Sequence, residues 1–169
     1  MFGIKKMCLP TCEEWDQMVD IVDGDDAVMH WRKMFSWCQD MDKDYPTGRT
    51  TRGYYSARLW GYNSTSYRYV NLGFRPVFEP LNTDSLNSDG AIVVAGTLYM
   101  NGNPVIIPAS PTWYGDIADY IPGAKLEFGP PLNDPAYQVK AIKVGDVLIA
   151  DRVLLKNISW DDLHIQGIC

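Results

Sequence analysis

The chain has 169 residues, 46% hydrophobic and 21% charged. This is ordinary globular usage, and no apolar run approaches the ~18 residues that would argue for a membrane helix. The formal charge is -6, with ten Lys/Arg against eleven Asp/Glu in residues 1–80 and five against ten in residues 81–169. Neither half therefore carries the basic footprint that nucleic-acid binding requires.

Met1 to Met7 holds two lysines with no apolar segment of signal-peptide type after them. The expectation is a protein not secreted by the usual route. Cys8, Cys12, Cys38 and Cys169 match no zinc spacing, and His30 and His164 lie far apart. No structural metal is expected, and the cysteines read as reduced, partly buried thiols of a reducing compartment.

Thr11 followed by Glu14 forms a capping-box pattern that starts a helix, with Trp15, Met18, Val19 and Val22 on one stripe and Gly24 at its end. Asp23-Gly24-Asp25-Asp26 lacks the alternating oxygen ligands of a calcium loop. Asp25 or Asp26 instead caps a second helix, Ala27 to about Trp37, with Ala27, Trp31, Met34, Phe35 and Cys38 inward and His30 off the stripe. The polar run Gln39 to Arg49, with Tyr45-Pro46 and Thr47-Gly48, reads as a loop. Ser56 to Arg58 is strand or irregular, Tyr62 to Ser66 a loop, and Tyr67 to Leu72 a strand closed by a turn or bulge at Gly73.

Residues 82–90, rich in Asn, Asp and Ser, read as a linker between residues 1–81 and 91–169. Beyond it, Ala91 to Met100, Asn101-Gly102 and Pro104 to Ile107 predict a hairpin, and Tyr137 to Val144 with Val147 to Leu155 a second one around Gly145-Asp146. A short helix is allowed near Ile117, and Ser159 caps a helical turn to Leu163. The loop patch from Pro111 to Asp116 presents Trp113 and Tyr114, which read as a satellite cluster before they read as a binding site.

Between Arg52-Gly53 and Gly73-Phe74-Arg75-Pro76 lies a segment dense in Tyr, Asn and Ser. Aromatic rings give rigid contact area and Ser and Asn give adaptable hydrogen bonds, the mixture binding loops favour. The candidate ligand-binding residues are Tyr54, Tyr55, Arg58, Trp60, Tyr62, Asn63, Tyr67, Arg68 and Tyr69. The competing reading packs these tyrosines in a sheet, where Tyr is favoured anyway. For nucleophilic catalysis, Cys8, Cys12 or Cys38 with His30 is the one pairing the first half offers, and Cys38 beside Trp37 reads as buried and inert.

Four pieces in order, Leu9-Pro10-Thr11 with Glu14-Trp15, Phe35-Ser36-Trp37-Cys38-Gln39-Asp40, Arg52-Gly53 and Gly73-Phe74-Arg75, resemble the formylglycine-generating enzyme family and its relatives of C-type lectin-like fold. Short members from phages and gut bacteria, including retroelement-diversified variable proteins, are the nearer comparison. The resemblance spans residues 8 to 79. It implies a truncated C-type lectin-like domain at 1–81; with the small β-rich barrel or sandwich that the hairpin pattern gives at 91–169, the expected fold class is α+β. Trp15, Trp37, Phe74 and Arg75 are then frame.

The family's oxidising members carry a cysteine pair between the pieces that correspond to Arg52-Gly53 and Gly73-Phe74-Arg75, whereas Tyr54 to Leu72 holds no cysteine. The resemblance therefore implies a non-catalytic recognition protein, tail-associated or on a surface, with a cell-surface glycan or a protein as ligand. No cofactor is indicated. Calcium, which lectin-like folds bind through backbone carbonyls, leaves no trace to read. A structural virion or assembly component, a homo-oligomer, is the alternative, and an oxidoreductase of the formylglycine-generating type is the second alternative.

Overall fold

A computed structural model describes residues 3–81, 88–109 and 114–168, without the side chain of Tyr114. Residues 82–87 of the expected linker, and Pro111, Thr112 and Trp113 of the expected loop patch, lie outside the described residues.

The chain is mostly β. In order it forms β1 (Ile4–Cys8), α1 (Cys12–Val22), α2 (Asp26–Met29), β2 (Phe35–Asp42), β3 (Tyr45–Gly53), β4 (Trp60–Ser64), β5 (Leu72–Phe74) and β6 (Val77–Pro80). There follow β7 (Ile92–Met100), β8 (Asn103–Pro104), β9 (Ala118–Asp119), β10 (Leu126–Gly129), β11 (Val139–Val144), β12 (Val147–Ala150), β13 (Leu155–Lys156) and α3 (Trp160–His164). A curled antiparallel sheet runs β1-β6-β12-β11-β7-β10, with β8 also on β7. A mixed sheet runs β4-β3-β2-β5-β13-β9, parallel at β2/β5 and at β13/β9.

This corrects the expected fold class. The chain is not an α+β C-type lectin-like domain followed by a separate small β-rich domain, because strands from both halves share each sheet. β6 lies between β1 and β12, and β5 between β2 and β13. The main core is mixed likewise: Trp37, Phe74 and Phe78 pack in one cluster with Leu98, Leu148 and Leu155. The Trp37 indole donates to the Ile158 carbonyl at 2.8 Å, across the expected boundary. Burying large apolar side chains in one shared cluster favours this arrangement over two small cores.

Local signals that close within a few residues have the expected outcome. Thr11 and Glu14 make a reciprocal capping box on α1, and Trp15, Met18 and Val19 are its buried residues. Asn101 and Gly102 both take positive φ, +51° and +80°, in the β7–β8 turn, as a two-residue hairpin requires. Ser159 caps α3 with its own capping box.

Five local expectations fail. The second helix is four residues long, capped by Asp25 and stopped where His30 turns left-handed at φ +43°. Phe35 to Trp37 of that expected helix, and the expected loop to Arg49, belong to the β2–β3 ribbon. Tyr62 to Ser66, expected as a loop, supplies the end of β4, while Tyr67 to Asn71, expected as strand, is irregular. Gly73 is no turn but a member of β5; a Cβ there would lie 2.2 Å from the Leu155 carbonyl oxygen and 2.5 Å from Val153 Cγ1. It is glycine because β13 passes too close for a side chain.

Candidate functional site

Register places the aromatic residues. In the antiparallel β3–β4 ladder, Trp60 stands opposite Arg52 and Tyr62 opposite Thr50. Residues directly opposite share a face, so Trp60 and Tyr62 point to the side on which Arg52 points. That side is the one α1 covers: Arg52 Nη2 donates to Asp16 Oδ1 of α1 at 2.6 Å. Because α1 packs over β2 and β3, it leaves the outermost strand β4 uncovered. Trp60 is 61% exposed and Tyr62 41%, while Gly61 and Asn63 alternate to the half-buried side. Tyr45, at the start of β3, is 52% exposed and stacks on Tyr62 with ring centroids 4.6 Å apart.

The result is a shelf of rings along an open sheet edge, flanked by carboxylates. Arg58 pairs with Asp20 of α1 at 2.5 Å. The Tyr62 phenol is raised above its ordinary pKa by its hydrogen bond with Tyr45, and next by its own desolvation and the nearby Tyr45, Asp42 and Asp44.

The other candidates divide into two further groups. Tyr54, at φ +86°, exchanges backbone hydrogen bonds with Trp31 and Lys33 and stacks on Phe35 at 4.8 Å, so it belongs to the frame. Tyr55, 77% exposed, meets Tyr54 edge-on. Tyr67 and Tyr69 form a second exposed stack at 5.8 Å. Arg68 between them grips Asp162 of α3 with Nε and Nη2, at 2.8 and 2.5 Å, and is thereby a tether for this loop. Asn63 reaches Thr51 Oγ1 at 3.5 Å. Of the expected set, Trp60 and Tyr62 thus share one surface, Tyr67 and Tyr69 another, and Tyr54 neither. Tyr45 was not among the expected residues; its place beside Pro46 reads as a loop.

The frame is buried beneath. Arg75, fully buried, donates from Nε to Ser36 Oγ at 3.1 Å, from Nη2 to the His30 carbonyl at 2.7 Å and from Nη1 to the carbonyls of Met29 and Ala150. Its guanidinium lies 5.0 Å from the Trp15 ring. Burial pulls its pKa down to about 10, so it stays charged at neutral pH. His30, the one expected base for a cysteine nucleophile, instead approaches Arg152 Nη2 at 3.3 Å. Burial and the Arg152 charge lower its pKa.

The thiol expectation is corrected at Cys8, which is disulfide-bonded; Cys12 and Cys38 are free, and Cys169 lies outside the described residues. Cys38 is buried, as its place beside Trp37 suggested. Among the described residues no three His, Cys, Asp or Glu side chains converge as a metal site, and no helix is long and apolar enough to cross a membrane.

Comparison of the chain with protein-family models, curated proteins and solved structures gives no match.

Proposed function

We propose that the protein is a non-catalytic recognition protein that binds a cell-surface ligand on the aromatic shelf of β4. The observation that carries this reading is the exposure of Trp60, Tyr62 and Tyr45 together on the uncovered edge of a sheet whose remaining face is packed. Leaving such rings in water forgoes burial worth roughly 1.5–3 kcal/mol for each large side chain, and a ligand recovers it. Flat aromatic faces beside the Asp42 and Asp44 carboxylates suit a glycan, whose C–H faces stack on rings while its hydroxyls bond carboxylate oxygens.

The test is binding of labelled protein to an array of immobilised glycans and to intact bacterial cells, compared with the triple variant Tyr45→Ala, Trp60→Ala, Tyr62→Ala. Wild type should bind and the folded variant should not. Equal binding by both would refute the assignment of this surface.

A second reading has its own observation. β4 ends the mixed sheet, and an open edge strand is a template for pairing with another chain. In that case the shelf is a subunit contact of an assembly. Solution mass decides: a dimer or larger species that the triple variant returns to monomer favours the assembly reading, and a wild-type monomer favours ligand binding.

A further inference from the structure

The face that carries Trp60 and Tyr62 also carries a pair of thiols. Cys12 is the first residue of α1, and Cys38 lies on β2 one position beyond Trp37, pointing to the α1 side. The two chain segments are fastened at this point by several bonds. The Cys12 backbone N–H donates to Asp40 Oδ1 at 2.7 Å, the Gln39 N–H to the Pro10 carbonyl at 2.9 Å, and the Gln39 side-chain amide to the Leu9 carbonyl at 2.6 Å. Arg52 Nη1 approaches the Cys12 carbonyl at 3.4 Å. Within this clamp the two thiols are held near enough to shift each other's acidity. One is half-buried and reachable from solvent, and the other is fully buried.

From this arrangement we infer that Cys12 and Cys38 form a redox-active dithiol that a hydroperoxide oxidises to a disulfide, with Cys12 as the attacking thiolate and Cys38 as the resolving thiol. The site lies outside the Tyr54–Leu72 interval and is independent of the ligand-binding reading.

The two cysteines have opposite acidities. The neighbouring Cys38 thiol lowers the Cys12 pKa, and Arg52 assists, against the opposing effects of burial and Asp40. Burial raises the Cys38 pKa well above the ordinary range. The thiolate is the reactive form, and its place in the first turn of a helix, beside a guanidinium, favours negative charge. In the first step the Cys12 sulfur attacks one peroxide oxygen. An S–O bond forms, the O–O bond breaks, and the departing hydroxide leaves as water with the proton that Cys12 gave up. In the second step the Cys38 sulfur attacks the sulfenic sulfur of Cys12. An S–S bond forms, the S–O bond breaks, and the hydroxide leaves as a second water with the Cys38 proton. Two thiols lose two protons and two electrons, and one hydrogen peroxide becomes two waters. The bond would join the start of α1 to β2.

The experiment is non-reducing peptide mapping of the full chain before and after stoichiometric hydrogen peroxide, with circular dichroism to confirm the fold. The expected result is a Cys12–Cys38 linked peptide, formed on treatment or already present and restored after mild reduction. Before oxidation, iodoacetamide should modify Cys12 at least about tenfold faster than Cys38. In the folded Cys38→Ser variant, peroxide should leave a sulfenic acid on Cys12 that dimedone captures. Both thiols surviving peroxide, Cys12 passing to sulfinic acid without linkage, or a link from Cys12 to any other cysteine would each overturn the proposal. The wild-type mapping stands without the variant if Cys38→Ser fails to fold.

Discussion

The β4 edge and the seam around Arg75 belong to the same sheet system, yet they use polar and aromatic chemistry in opposite ways. At the seam, Arg75 sits at 0% exposure with its donors aimed at carbonyls and Ser36 Oγ. At the edge, Trp60 is 61% exposed and Tyr62, stacked on Tyr45 by one face, is 41% exposed. The seam joins α2, β2 and β12 and so holds the two halves of the chain in one fold, whereas the edge contributes little that the fold needs. Under the proposed function, stability and recognition are separable in this molecule, and substitutions should sort cleanly between them.

The sharpest break is expected at the seam. Arg75→Met keeps the volume roughly constant but strands the carbonyls of Met29, His30 and Ala150, and losing several charge-assisted bonds should cost about 4 kcal/mol or more. That is a large share of the stability of an ordinary domain, so urea denaturation should find the variant largely unfolded. Gly73→Ala comes next. Its Cβ would meet the Leu155 carbonyl oxygen at 2.2 Å, so β5 and β13 must separate, and a loss of about 3 kcal/mol is expected in the same assay.

At the edge the order reverses. The triple variant at Tyr45, Trp60 and Tyr62 should lose only about 1 kcal/mol, the worth of the Tyr45–Tyr62 stack and some strand preference, while losing ligand binding. If it unfolded like Arg75→Met, the separation would be wrong.

The smallest effect concerns the tether between the Tyr67–Tyr69 loop and α3. Partial burial raises the Asp162 pKa, but hydrogen bonds from Arg68 and from Ser159 outweigh it and the net shift is downward. A carboxyl group with a depressed folded pKa contributes stability above its unfolded value and loses it as the pH falls through the folded one. Arg68 is 44% exposed on its side chain, so solvent screens the pair, and Arg68→Ala should cost about 0.5 kcal/mol at neutral pH. The difference between wild type and variant should vanish as the pH drops below the ordinary aspartate range, in thermal melts run across that interval.

What was legible in the sequence follows physical range. Capping boxes at Thr11 and Ser159 and the Asn101-Gly102 turn act over a few residues, so the residues that form them stand side by side in the text. Trp31, Met34, Phe35 and Cys38 have helical spacing, yet Phe35 and Cys38 lie in β2. A short apolar run fits either period, and pairing with β3 and β5 decided the outcome. The union of the halves depends on β5–β13 and β6–β12, partners some seventy to eighty residues apart, which no local pattern announces. Within the candidate site, exposure of Trp60 and Tyr62 depends on where α1 ends across the sheet. Tyr45 was hidden because Tyr-Pro and Thr-Gly read as a turn while the chain runs on as β3. The pairing of Cys12 with Cys38 likewise needs the α1 start folded against β2.

The most direct measurement is hydroxyl-radical footprinting of the protein alone and bound to a ligand taken from the glycan array or to whole cells. Tyr45, Trp60 and Tyr62 should become protected together while Tyr55, more exposed than any of them in the unbound chain, keeps its reactivity. Protection confined to another surface, with the three rings as reactive as before, would contradict the proposed function.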